Sequence, residues 1–154
     1  MVVIELPDEA ATAALATRLA RLVRRGDVIA LKGELGAGKT SFARAFIRAR
    51  AGPDEIVPSP TFTLMQVYEL PDLSIWHFDG YRLRDPEEGW ELGIEDAFHD
   101  GVSLIEWPER FGSLIPRRRL EIRLQHSAAP EARRAIVDPG PEWASRLAPL
   151  TAET

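Results

Sequence analysis

Eight consecutive residues, Gly33-Glu34-Leu35-Gly36-Ala37-Gly38-Lys39-Thr40, carry the plainest chemistry in the chain. They fit G-x-x-x-x-G-K-[ST], the P-loop that cradles phosphate. A triphosphate is too dense in charge for bulky side chains to wrap. A glycine-rich turn lets successive backbone N–H groups converge on it, and the helix that follows adds its positive end. Lys39 offers a compact cation to the β- and γ-phosphates, and the Thr40 hydroxyl is placed to ligate Mg²⁺. Lysine is scarce, with Lys32 and Lys39 the only two among nineteen Lys and Arg, so its presence in the slot that needs an ammonium is not a matter of composition.

Phosphate binding alone hydrolyses nothing; carboxylates must manage the metal and the attacking water. Two acids end apolar runs. Asp79 follows Ser74-Ile75-Trp76-His77-Phe78, and Glu106 follows Val102-Ser103-Leu104-Ile105. In doubly wound sheets the carboxyl ends of strands face the ligand crevice, so both are well placed to hold Mg²⁺ or orient water. A helix or turn cap is the competing role. The loop with Ser59, Thr61 and Phe62 suits a switch segment that senses the γ-phosphate, or serves only as punctuation between two prolines. Arg82 can steady transition-state charge or make a surface ion pair. His77 reads as a satisfied core or edge histidine rather than a ligand, and Trp107 as core ahead of a ring packed under the nucleotide.

The nucleotide base is the next choice. A guanine reader would carry N-K-x-D, but the chain has no asparagine, and it also lacks D-x-x-G. ATP is therefore the expected nucleotide, with ADP as product.

These residues need a scaffold. Asp27-Val28-Ile29-Ala30-Leu31 reads as a buried strand leading into the P-loop, and residues 40–51 as a helix with Phe42, Ala43, Phe46 and Ile47 on one face, closed by Gly52-Pro53. That strand–loop–helix context weighs against a glycine-rich turn without a ligand. Residues 2–6 form a strand. A helix runs from an Asp8 cap to about Arg25, with Gly26 as its stop. Strands from about Phe62 to Leu70 and from Leu73 to Asp79, joined at Pro71-Asp72, must be antiparallel neighbours. Asp85-Pro86-Glu87-Glu88 opens a short helix that breaks at Gly93 and resumes to His99. Residues 102–107 and 119–125 are strands, 133–137 can pair with the latter, and a helix over about 141–150 brings in Trp143 and Leu147. The expected fold is α/β, a three-layer P-loop NTPase-like sandwich with a mixed central sheet and antiparallel edge strands. All 154 residues read as one domain, with a core over about 2–138.

Bulk properties set the outer limits. Hydrophobic content of 45% and charged content of 28% are those of a soluble globule. There is no cysteine, hence no disulfide framework or thiolate metal site. No signal peptide or membrane span is visible, and a cytoplasmic location is expected. A net charge of −5 argues against a surface devoted to nucleic acid. Arg117-Arg118-Arg119 with Arg123 reads as the solvated ends of a strand, ahead of a local basic patch.

Taken together, GELGAGKT (33–40), SPTFTL (59–64), HFDGYRL (77–83), DPEEGWELGIED (85–96) and LIEWPER (104–110) closely resemble the bacterial TsaE (YjeE) family. The resemblance spans about residues 6–125 in unbroken order. It implies a small ATPase required for threonylcarbamoylation of the adenosine beside the anticodon, working with TsaD and TsaB, so that tRNA is reached through the complex and neither DNA nor membrane is a partner. The family's nucleotide-binding residues fall on Glu34, Leu35, Gly36, Ala37, Gly38, Lys39 and Thr40. Its magnesium-associated residues fall on Thr40 and Glu106, its Walker-B-like aspartate on Asp79 and its switch threonine on Thr61. Gly80 stands where a bulky apolar residue is often found, and the tail after about 125 diverges. A free-standing small-molecule kinase is the alternative, although the chain has little spare length for a lid and an acceptor pocket. A nucleotide-gated binding module with negligible turnover is a third reading.

Overall fold

A computed structural model of the chain describes residues 1–60 and 63–148. Seven strands form one sheet: β1 (Val2–Leu6), β2 (Val28–Lys32), β3 (Met65–Glu69), β4 (Ser74–Asp79), β5 (Gly101–Glu106), β6 (Leu120–His126) and β7 (Arg133–Asp138). Their order is β1-β7-β6-β2-β5-β4-β3. The P-loop strand β2 lies between β6 and β5, parallel to both, and β4 runs parallel to β5. Strand β3 is antiparallel to β4, as the tight turn at Pro71-Asp72 requires. Antiparallel pairs also close the other side, β6 with β7 and β7 with β1, so the additions flank the parallel centre on both edges.

Helices α1 (Glu9–Leu22) and α2 (Lys39–Ala51) cover one face, packed along each other. Their buried Leu15, Leu19, Phe42, Phe46 and Ile47 meet Ile29, Leu31, Ile75 and Leu104 from the sheet. Alternation puts Val28, Phe78 and Ile105 on the opposite face, where α3 (Glu88–Glu91), α4 (Ile94–Asp100) and the 3₁₀ segment Pro108–Leu114 bring Ile94, Ala97 and Phe111. Three layers result, as expected.

Local signals behave as their chemistry predicts, with some shifts. Asp8 caps α1, its side chain accepting the Ala11 N–H at 2.8 Å. That helix ends at Leu22 rather than about Arg25, because the Asp27 carboxylate takes the Arg24 N–H at 2.6 Å and folds the chain back early. The first helix after Asp85 spans only Glu88–Glu91, since Asp85 organises a turn through its backbone and side chain instead. The last helix, α5 (Gly140–Trp143), is shorter than the expected 141–150. Tertiary contacts set its shape: Trp143 and Leu147 join the core, and Arg146 reaches the buried Asp27 through bonds of 2.5 and 3.1 Å. Residues 149–154 lie outside the described residues. No helix among those described is long and apolar enough to cross a membrane.

Candidate functional site

The P-loop leaves β2 at Gly33 and enters α2 at Lys39. Gly33 has φ 148°, and a Cβ there would lie 2.6 Å from the Leu124 carbonyl oxygen of β6, so only glycine lets the loop start this close to its neighbour. Gly38 caps α2 in a left-handed conformation, which opens the helix N-terminus toward the loop. Ala37 is buried, whereas Glu34, Leu35 and Gly36 face solvent. Among the seven residues expected to bind nucleotide, the last two carry the reactive side chains.

Lys39 is 4% exposed. Its Nζ donates to the carbonyls of Gly33 at 2.6 Å and Glu34 at 2.9 Å and lies 4.2 Å from the centroid of the Trp107 ring. Burial pushes the ammonium below the ordinary lysine range, against the opposing charges of Glu106, Glu109 and Asp79. Thr40 donates its hydroxyl to Glu106 Oε1 at 2.8 Å across 66 residues of chain. Asp79 and Glu106 are register partners on β4 and β5 and sit on the same face, at 3% and 2% exposure. Asp79 Oδ1 also accepts the Tyr81 N–H at 2.9 Å, so the turn-cap role and a place in the site coexist. Thr61, expected as a switch residue, lies outside the described residues.

These groups share a cleft of about 300 Å³ lined by Gly38, Lys39, Thr40, Asp79, Glu106 and Trp107. A hollow of about 440 Å³ between α1 and α2 adjoins it through Gly38 and Ser41, with Ala10, Ala13, Ala45 and Arg133 among its walls. No cluster of three or more His, Asp or Glu among the described residues holds a metal unaided. The pairing of a hydroxyl with a carboxylate suits Mg²⁺, which is commonly held by one or two protein oxygens plus substrate phosphates and water. The loop's open glycines, buried ammonium and hard-oxygen pair fit a magnesium-bound nucleoside triphosphate.

Three side chains enter the site that motif reasoning either missed or set aside. Trp107 is not core: a left-handed backbone (φ 55°) ends β5 and swings its ring over Lys39, with the Tyr81 ring 5.2 Å away. Gly80 makes room for this turn, since a Cβ there would lie 2.7 Å from the Trp107 carbonyl oxygen and 2.8 Å from Phe111. That is the physical account of the glycine at this position. Arg133 donates to the P-loop carbonyls of Ala37 at 2.9 Å and Gly36 at 3.4 Å. His77, fully buried, places Nε2 2.6 Å from Glu106 Oε2. These pairings join residues distant in sequence; only the apolar run around His77 hinted that a buried polar group needed a partner.

Comparison with known proteins gives a consistent picture. The family model described as "Threonylcarbamoyl adenosine biosynthesis protein TsaE" matches residues 6–136. A tRNA threonylcarbamoyladenosine biosynthesis protein TsaE from Rickettsia felis is 41% identical over 120 residues, 78% of this chain and 70% of that one. The protein of the same name from Bacillus subtilis is 39% identical over 126 residues, 81% and 77% of the two chains. Among solved structures, the crystal structure of Bacillus subtilis YdiB superposes with a TM-score of 0.81 at 29% identity, covering 99% of this chain and 95% of that one.

Proposed function

The chain belongs to the TsaE family, and from that premise we propose that it is a magnesium-dependent ATPase serving formation of threonylcarbamoyladenosine in tRNA, acting within a complex with the TsaB and TsaD proteins. The observation that carries this reading is the bond between the Thr40 hydroxyl and the Glu106 carboxylate beside a buried P-loop lysine. It joins the phosphate-binding loop to the end of β5, where an acid can address metal and water together.

In this reading the backbone N–H groups of residues 34–40 bind the phosphates and Lys39 exchanges its Gly33 and Glu34 carbonyls for phosphate oxygens. Thr40 and Glu106 would hold Mg²⁺, which when bound neutralises charge on the phosphoryl group. Asp79 orients the attacking water from the adjacent strand end. Trp107 shields the lysine from bulk solvent, which strengthens its pull on phosphate. The hollow between α1 and α2 offers apolar walls and polar rims of a size for adenine. With few elements of its own to exclude water, the protein turns over slowly alone. A partner that packs against the loop holding Ser59 and Thr61 or the segment from Tyr81 to Asp96 completes the site. The free-standing kinase reading finds no support in the relatives' names.

The test is to mix the purified chain with TsaB and TsaD and follow phosphate release and co-elution, with Lys39→Ala as the inactive control. ATP-dependent co-elution and accelerated release are expected. Binding of ATP without release, even with the partners present, would instead make it a nucleotide-gated binding module.

A further inference from the structure

We propose that His77 is a positioning residue: it holds the Glu106 carboxylate in its bond to Thr40 and away from the Lys39 ammonium. The inference rests on the reading of Thr40 and Glu106 as the Mg²⁺ pair.

The geometry is specific. His77 is a register partner of Leu104, while Glu106 is a register partner of Asp79. The Glu106 side chain therefore reaches back along the sheet, setting Oε2 on His77 while Oε1 meets Thr40 at the cleft. A carboxylate only accepts, so His77 Nε2 carries the proton of the 2.6 Å bond. With Oε2 taken by His77 and Oε1 by Thr40 at 2.8 Å, both oxygens have a donor, one from β4 and one from α2. Glu106 is thus clamped from two independent elements.

The rest of the imidazole argues that this bond is the reason for a histidine here. Its Nδ1 finds no partner among the described residues, and the residue is fully buried. A buried unpaired nitrogen is a liability that leucine, of similar volume, would not carry. Among the described residues the histidine has no other side-chain hydrogen bond to explain it.

Lys39 shows what the clamp prevents. Among the charges acting on its ammonium, Glu106 is the strongest, ahead of Glu109 and Asp79. Released from His77, a 2%-exposed carboxylate with one remaining donor would turn to that cation. The pair would neutralise the charge meant for phosphate and withdraw the oxygen meant for metal. His77 keeps two opposite charges apart in a dry site until nucleotide takes the one and metal the other. This is the outer-sphere orientation that metal sites depend on, where losing the supporting partner typically costs about 10–100-fold in metal affinity.

The experiment measures ADP binding by calorimetry with Mg²⁺ and with EDTA, and reads the gain that Mg²⁺ confers. His77→Leu should cut that gain about tenfold or more. His77→Gln, whose amide reaches Glu106 with a donor at comparable length, should retain most of it. Glu106→Gln should lose the gain outright, and adding His77→Leu to it should change nothing further. If Glu106→Gln keeps the Mg²⁺ gain, the magnesium reading itself fails. If Glu106→Gln loses the gain but folded His77→Leu keeps it, the positioning role alone is overturned. Should His77→Leu not fold, His77→Asn takes its place, its amide being one methylene too short to reach. A gain in His77→Asn equal to that in His77→Gln overturns the proposal.

Discussion

Replacing Arg133 with methionine tests whether the P-loop depends on a residue far outside its motif. Arg133 opens β7, 96 residues beyond Ala37. Its Nη1 is anchored by the carbonyls of Pro130 and Ala132, both at 2.8 Å. The other edge of the guanidinium then holds Ala37 O at 2.9 Å and Gly36 O at 3.4 Å. Arg133→Met keeps the stem and removes every donor. Of the two P-loop bonds one is well formed and one long, so together they contribute about 1–3 kcal/mol. If the loop must be re-ordered when nucleotide binds, that loss appears as weaker binding, with 1.4 kcal/mol equal to tenfold. Part of it appears in the free protein, so ADP affinity should fall about tenfold, with a modest drop in melting temperature. Arg133→Lys should not restore affinity, since a point charge cannot span two carbonyls while anchored to two more. Calorimetry with Mg²⁺ and ADP, beside melting curves with and without ADP, reads both effects. A variant that melts earlier yet binds ADP with the original affinity would refute the reasoning and make Arg133 a fastener of the β6–β7 turn.

Three further outcomes follow from bonds already described. Thr40→Val strips Glu106 Oε1 of its donor at a nearly buried site, so stability should fall by about 1–3 kcal/mol. In the same variant ADP binding in EDTA should hold while the Mg²⁺ gain shrinks; an unchanged response to Mg²⁺ removes Thr40 from the metal site. Arg146→Met leaves the carboxylate of Asp27, a residue 5% exposed, with only the Arg24 N–H among the described residues, and breaking such a buried pair costs about 3–5 kcal/mol. Denaturant unfolding that shows a loss below about 1 kcal/mol, the range of exposed pairs, would make the clamp on the C-terminal segment unimportant. Lys39, its ammonium lowered by burial despite nearby acids, binds its proton less tightly folded than unfolded. Between the lowered value and the ordinary one, its contribution to stability therefore rises with pH, while ADP binding, which needs the ammonium, falls. An affinity that declines only in the ordinary lysine range would contradict this.

The parts of the site that announce themselves in sequence are those whose residue types are forced by local chemistry. A glycine, glycine, lysine, threonine run between an apolar strand and an amphipathic helix can be read because each residue answers to its immediate neighbours. Asp79 and Glu106 were legible for a similar reason, an acid closing an apolar run in a parallel sheet. Their placement side by side follows from β4 lying next to β5, which the run lengths suggested but did not dictate. Arg133 escaped, and Trp107 and His77 read mainly as core, because their roles depend on the third dimension. The tryptophan's direction is decided by one left-handed residue and the space at Gly80, the histidine's partner by sheet register, and the arginine's by which strand borders the loop. The early end of α1 and the short α5 have one cause, the buried Asp27, whose partners lie 3 and 119 residues away.

The edge of the sheet also orders events in time. Strand β1 is made well before its neighbour in the sheet, β7, with Glu5 and Arg134 ion-paired across 129 positions. Until β7 is made, β1 must wait with its hydrogen-bonding groups unmatched. The same late strand carries Arg133 beneath the P-loop. Closing β1 onto the sheet and bracing the nucleotide loop are therefore one step, open to the chain only once β7 exists. A nascent chain stopped before residue 133 holds the whole phosphate motif but lacks the brace beneath it. Firm capture of nucleotide by the growing polymer is thus deferred until the sheet is complete.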